Sequence, residues 1–290
     1  MIMNEYDVNN TTLILGFFDG IHLGHRKVLE SAVEYAKSNN SQAILITFSK
    51  SPSEYFNNST EYIFDRKYNY NLIKSIGIDR IVELDFDKIV NISAEEFLSD
   101  MTKKYAPLSI FTGFNYTFGY QRIGTPDFLS NNQNKYGYKY YCVPDYQYEN
   151  ETVSSTNIKM LLRKGQIESA NKLLSNKFRI ASKVVEGAKL GRELGFPTAN
   201  LVYPENIIKI PYGVYKAEAL NKPAILNWGI KPTVGENHPI LEVHIPGFDE
   251  DLYNQEIEVK FIKRIRDERK FDSLEELKSQ IEKDLKICLE

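Results

Sequence analysis

The residues best suited to do chemistry lie in Leu13–His25, LILGFFDGIHLGH. An apolar strand (Leu13, Ile14, Leu15) runs into a turn punctuated by Gly16, Gly20 and Gly24, then delivers His22 and His25 at the start of an amphipathic segment. A strand that feeds glycines into a helix N-terminus leaves backbone N–H groups unpaired where the helix dipole favours an anion, which makes it a phosphate trap. Two imidazoles three residues apart near a helix start share a face, so both can reach the same phosphate. The plainer alternative is a pair of surface histidines around a tight turn.

A second chemical string is GRELGFPTAN, Gly191 to Asn200. Gly191 and Gly195 permit close backbone approach to a ligand. Pro197 stiffens the turn, and Thr198 and Asn200 offer oxygens for Mg²⁺ or phosphate. Any surface turn can carry two glycines and a proline, so the string gains weight from Glu242 in LEVH, a carboxylate within an apolar strand. A strand glutamate by default faces solvent. Opposite a phosphate loop it is a candidate general base for a substrate hydroxyl. GFNYTFGYQRIGT (Gly113 to Thr125) reads equally as a binding loop or as a packed aromatic loop. VSSTNIK (Val153 to Lys159) places three hydroxyls at a helix start, where a cap and a phosphate contact use the same N–H groups. RIRDERKF (Arg264 to Phe271) is by default a solvated charge cluster.

The elements that must hold these residues alternate in the first part. Strands are expected at Thr11–Leu15, Ala43–Phe48, Asp79–Leu84, Leu108–Phe111 and Lys139–Val143. Between them fall helices at Arg26–Lys37 and Asp65–Ile76, a capping box at Ser93 and Glu96, and a helix start at Thr125-Pro126-Asp127. Strand–helix alternation implies a parallel sheet covered on both faces, with ligands at the strands' carboxyl ends. After two short helices in Ser154–Leu174 the pattern changes near residue 180. Strands at Lys183–Val185, Gly213–Ala219, Ala224–Asn227, Ile240–His244 and Glu256–Ile262 follow without helices, the pattern of a small antiparallel barrel. A closing helix starts at Ser273, with Glu276 completing its cap and Leu274, Leu277, Ile281 and Leu285 as its buried stripe.

Length agrees with two domains, expected at 1–180 and 181–290, since 290 residues is where single cores stop growing. The charged fraction of 26% balances to a net −3, which leaves no electrostatic footprint for nucleic acid. No run approaches the roughly 20 apolar residues of a membrane span. The polar opening MIMNEYDVNN has no signal-peptide character. Cys142 and Cys288 are read as two buried thiols in a cytosolic protein. An oligomer is allowed but not required.

Taken together, GFFDGIHLGH, GFNYTFG, VSSTNIKMLLRKGQIESANKLL, GRELGFPTANL, GVY, NWGIKPT, LEVH, DLY and RIRDERKFDSLEELKSQI resemble, in order and spacing, the bacterial bifunctional riboflavin kinase/FMN adenylyltransferase family, also called FAD synthetase. The resemblance implies a Rossmann-like α/β nucleotidyltransferase domain followed by a riboflavin kinase β-barrel with a C-terminal helix. It implies conversion of riboflavin and ATP to FMN, then of FMN and a second ATP to FAD and pyrophosphate, with Mg²⁺ in both steps. By the same resemblance His22 and His25 would stabilise charge on the α-phosphate and pyrophosphate, with Gly16, Phe18, Asp19 and Gly24 shaping the turn. Ser154, Ser155, Thr156 and Lys159 would hold phosphate from the other side, and Asn115 and Phe118 would contact substrate. In the barrel Glu242 would be the base, Thr198 and Asn200 the Mg²⁺–phosphate positions, and Gly191, Gly195 and Pro197 a nucleotide-binding flap. Asn227 and Arg266 match positions near nucleotide and flavin. Four departures stand out: Lys159 where the family motif ends in arginine, FSKSP at Phe48–Pro52, Leu174-Ser175-Asn176 at the junction, and Trp228 in place of a smaller residue. They leave two alternatives open, a chain with one live activity and a flavin-binding regulator without turnover.

Overall fold

The computed structural model describes residues 10–57, 61–149, 151–187, 191, 194–230 and 239–289, in two compact units. The polar residues 1–9, Arg192 and Glu193 of the glycine string, and residues 231–233 of NWGIKPT lie outside the described residues.

In the first unit, β1 (Thr11–Leu15) leads into α1 (Leu23–Ser38), β2 (Gln42–Phe48), α2 (Pro52–Asn57), α3 (Arg66–Ile76) and β3 (Arg80–Leu84). After these come α4 (Phe86–Ile89), α5 (Ala94–Tyr105), β4 (Pro107–Gly113), α6 (Pro126–Tyr136), β5 (Lys139–Val143) and a small hairpin, β6 (Gln147–Tyr148) with β7 (Glu151–Thr152). The five main strands form one sheet in the order β3-β2-β1-β4-β5, every pair parallel. The apolar runs explain it, because successive β1 side chains go to opposite faces and both faces are buried. Leu13 and Leu15 pack with Phe97, Leu98 and Met101 of α5, and Ile14 packs with Val28, Leu29 and Val33 of α1. Thr11 and Thr12 are buried yet satisfied: Thr11 Oγ1 donates to Tyr105 O at 2.8 Å, and Thr12 shares a hydrogen bond with Ser41. Strand order reverses between β1 and β4, and in such sheets the ligand crevice opens there. The glycine–histidine turn leaves the end of β1, and the Gly113 loop leaves the end of β4.

The expected caps are present. Ser93 Oγ accepts from Glu96 N at 3.1 Å, Thr125 Oγ1 accepts from Phe128 N at 3.2 Å with Pro126 following, and Ser273 Oγ accepts from Glu276 N at 3.1 Å. One helix start differs from expectation: α1 begins at Leu23 rather than Arg26, because the His22 imidazole serves as its cap.

The second unit adds α7 (Ser155–Arg163), α8 (Ile167–Leu173), β8 (Arg179–Val185), β9 (Ala199–Val202), β10 (Gly213–Ala219), β11 (Lys222–Ile230), β12 (Pro239–His244), β13 (Glu256–Arg266) and α9 (Leu274–Leu289). The six strands close into an antiparallel barrel in the order β10-β11-β12-β9-β8-β13. Its interior is filled by Tyr215, Leu226, Trp228, Leu241, Val243, Val259 and Phe261, all nearly solvent-free. Trp228 is absorbed there: its indole N–H donates to Ile210 O at 3.1 Å, and its ring packs against Tyr203 and Tyr212. β9 was not expected as a strand; the PTAN string turns at Pro197 and then runs straight into the barrel wall.

The compact units divide between Ser154 and Ser155, ahead of the expected boundary near residue 180, although β8 does begin at Arg179. The helices α7 and α8 pack with the barrel because Asn171 of α8 bridges it, donating to Phe261 O at 2.9 Å and accepting from Phe178 N at 2.7 Å. Residues Glu61–Asp65 also belong to this unit. Tyr62 lies as a parallel bridge beside Ile207, its N–H on Asn206 O (2.7 Å) and its carbonyl accepting from Ile208 N (2.8 Å), and Arg163 pairs with Glu61.

Candidate functional site

In the first unit the turn is built from the end of β1. Gly16 N donates to Ile46 O at 3.2 Å, holding the chain against β2 as it leaves the sheet. Phe18, Asp19 and Ile21 are buried, and Asn69 of α3 clamps the turn from beneath. Its amide donates to Phe18 O and its Oδ1 accepts from Gly20 N at 3.3 Å. Asn69 was not singled out from sequence, since a buried amide in a helix has no periodic signature.

His22 ends the turn and caps α1, its Nδ1 accepting from His25 N at 3.1 Å. An accepting Nδ1 carries no proton, so a neutral His22 has its N–H at Nε2. The two imidazoles stack with centroids 3.5 Å apart and planes 17° apart, and the Phe18 ring meets His25 edge-on at 5.0 Å. Gly24 lies in the first turn of α1, within 3.2 Å of the His22 ring at its β-carbon position. Burial lowers the His22 pKa to about 4; burial and the neighbouring His22 hold His25 well below the ordinary histidine value. Both rings are therefore neutral at neutral pH, each with one N–H available to donate. His25 Nδ1 is buried with no hydrogen-bond partner among the described residues.

The depressed His22 pKa has a thermodynamic consequence. Between about pH 6.5 and 4 the unfolded chain takes up a proton that the folded chain refuses, so stability is full above that window and falls as pH drops through it. The loss expected from His22 is on the order of 3 kcal/mol. Thermal unfolding followed from pH 7 to pH 4 should show it as a declining Tm, shallower in His22→Asn. Identical slopes for the two proteins would exclude this origin.

The loop after β4 divides its expected contacts. Phe118 is 5% exposed, its ring packed among Phe97, Tyr116 and Phe128, while Asn115 is exposed. Ser154 closes the first unit; Ser155, Thr156 and Lys159 lie on α7, in the second.

In the second unit the sequence-picked residues fall into one row. Strand register sets Asn200 of β9 opposite Glu242 of β12, Glu242 opposite Asn227 of β11, Asn227 opposite Val214 of β10, and Val214 opposite Arg266 of β13. Directly opposed residues present their side chains to the same face. That face is the outer one, because Leu226, Trp228, Leu241 and Val243 alternate with the row and fill the interior. Asn227 Nδ2 donates to Glu242 Oε2 at 3.4 Å. Arg266 is gripped by Asp284 of α9, with Nε at 3.0 Å and a terminal nitrogen at 2.8 Å from Oδ2, and Gln280 donates to Asp284 Oδ1 at 2.7 Å.

Over this row opens a cavity of about 950 Å³, lined by Gly191, Thr198, Asn227, Glu242, Arg266 and Glu268 among others. Sites of this size take drug-sized ligands. Gly195 holds its turn in the left-handed region, at φ +86°. Asn200 is buried, and its Oδ1 has no hydrogen-bond partner among the described residues. A smaller crevice of about 80 Å³ lies against the same turn, between Pro197, Thr198, Val184, Phe248, Leu252 and Tyr253.

Glu268 is exposed, as the reading of its cluster as solvated charge expects, yet it also reaches the site. Its carboxylate sits on Gly229, where a β-carbon would fall 2.0 Å from Oε1, and burial together with the Glu242 charge raises its pKa. Only the folded register brings these groups together.

Comparison with known proteins places these features in context. Residues 5–157 match the family described as FAD synthetase, and residues 174–290 match the family described as riboflavin kinase. A protein of Buchnera aphidicola subsp. Schizaphis graminum named bifunctional riboflavin kinase/FMN adenylyltransferase is 36% identical, over 96% of this chain and 93% of its own. The protein of the same name from Bacillus subtilis is 32% identical over 94% and 90%. A crystal structure titled macrolide-efflux protein, from Streptococcus pneumoniae, superposes with a TM-score of 0.88 at 29% identity, covering 97% of this chain and 94% of that one.

Proposed function

The chain belongs to the bifunctional riboflavin kinase/FMN adenylyltransferase family, and we propose that 181–290 carries the kinase reaction and 1–180 the adenylyl transfer. The observation that carries the reading is the row Asn200–Glu242–Asn227, whose Glu242 and Asn227 line a cavity that also takes in Thr198 and Gly191. Residues some forty positions apart meet where a phosphoryl donor and a hydroxyl acceptor need them.

In the kinase step the terminal hydroxyl of riboflavin is neutral and needs a base. Glu242 accepts its proton as the oxygen bonds to the γ-phosphorus of ATP and the bond to the β-phosphate oxygen breaks, leaving ADP. Asn227 orients the carboxylate through its amide. Gly191 and Gly195 let the turn approach the phosphates. Arg266, braced by Asp284, borders the flavin side. The donor set fits Mg²⁺: Thr198 and the unpaired buried Oδ1 of Asn200 are hard oxygen ligands. Bound there, Mg²⁺ would neutralise phosphate charge.

In the adenylyl step the nucleophile is the FMN phosphate, already ionised, so no base is required. Its oxygen bonds to the α-phosphorus of ATP as the bond to pyrophosphate breaks. His22 and His25, as neutral N–H donors at the α1 N-terminus, stabilise charge on the α-phosphate and the departing group. Gly16, Phe18, Asp19 and Gly24 shape that turn, Asn115 borders the flavin while Phe118 is packed in the core, and Ser154 supplies a further phosphate donor. The enzyme works in the cytoplasm on small molecules; no helix among the described residues is long and apolar enough to cross a membrane.

Chromatography of products tests the reading, with riboflavin and FMN supplied in turn alongside ATP and Mg²⁺. Riboflavin should yield FMN and then FAD, and FMN should yield FAD. FMN without FAD would leave only the kinase; bound flavin with neither product would favour a regulator.

A further inference from the structure

His244 stands two residues beyond Glu242 on β12, on the same outward face, and lines the same cavity. It is 7% exposed, so its ring is held rather than solvated. Two groups hold it. Its Nδ1 lies 2.8 Å from Pro197 O, and the Phe196 ring meets it edge-to-face at 5.6 Å and 88°. A proline carbonyl can only accept, so Nδ1 carries the proton, which leaves Nε2 as the acceptor of a neutral ring. The turn that contains Pro197 is also tied to itself by Phe196 N donating to Gly191 O at 2.7 Å. The next residue along is Thr198, and two further on is Asn200, the row partner of Glu242.

Resting on the kinase reading above, we propose that His244 is a positioning residue for phosphoryl transfer: its Nδ1–H on the Pro197 carbonyl sets the turn that presents Thr198 against the strand that presents Glu242. One side chain thus spans the two elements whose separation the reaction depends on. β12 supplies the base, the Gly191–Thr198 turn faces the phosphates, and a displacement of about 1 Å between such groups can cost on the order of 100-fold in rate.

The test exploits geometry at constant charge. An asparagine amide nitrogen falls near the place of histidine Nδ1, and a glutamine amide nitrogen falls near Nε2. His244→Asn is therefore expected to keep riboflavin phosphorylation within about threefold of wild type, while His244→Gln loses about tenfold or more in kcat with little change in the riboflavin KM. The cooperative thermal unfolding of each variant, compared with wild type, checks that the barrel is folded. Asn and Gln variants equally impaired, or both equal to wild type, would overturn the role of His244. A wild-type chain that forms no FMN would instead overturn the kinase reading, and the inference with it.

Discussion

Replacing Glu242 with glutamine is expected to lower FMN formation from riboflavin by roughly 10²–10⁴-fold, the usual contribution of a positioned general base. The substitution keeps the shape of the side chain and an oxygen to accept from Asn227, so the row and cavity persist and only the proton acceptor is lost. Initial rates with saturating ATP and Mg²⁺ measure the fall. Conversion of supplied FMN to FAD should stay within about twofold of wild type, because that reaction asks for no base. If the variant phosphorylates riboflavin normally, Glu242 is a structural strand residue. If both reactions fall together, the two sites are not independent.

The converse experiment is His25→Ala, for which FAD formation should fall on the order of 10²–10³-fold with riboflavin phosphorylation unchanged. The choice of His25 over His22 follows from the cap. His22 Nδ1 accepts from the backbone N–H of residue 25, and that N–H survives truncation of the side chain. The start of α1 is thereby kept while a donor and the stacked ring are removed. His22→Ala would mix two effects, since losing a cap costs about 1 kcal/mol of stability by itself. Wild-type FAD synthesis by His25→Ala would remove the dihistidine turn from the mechanism.

Both experiments concern residues that could be picked out by type and spacing, and much of the fold was equally legible. The central strands β1, β2 and β4 announce themselves as apolar runs buried on both faces, whereas the edge strands β3 and β5 are only partly covered and leave Cys142 exposed where a buried thiol was expected. The Ser93, Thr125 and Ser273 caps carry side chains that mark helix starts. Where reading by pattern fell short, the cause is local or long-range. A histidine cap is outside the usual cap residues, so α1 was expected three residues late. The glycine–proline signal of PTAN masked the strand it leads into. Asn69, His244, Glu268 and Asp284 act through partners 18 to 51 positions away in the chain, and only strand register or helix docking brings those partners near. No composition shift marks the division at Ser154, since Asn171 settles it with two hydrogen bonds to the barrel.

The strip Glu61–Asp65 has a consequence for anyone dissecting the gene. The polypeptide visits the barrel unit once early, through Tyr62, and returns for good only at Ser155. A fragment started at the later crossing leaves the amide of Ile208 and the carbonyl of Asn206 without their hydrogen-bonding neighbour, and strips Arg163 of its acidic counterpart. No single scissor point yields two whole halves. An autonomous kinase module has to be spliced with that strip supplied, whereas the intact gene inherits it from the reading frame of its other half.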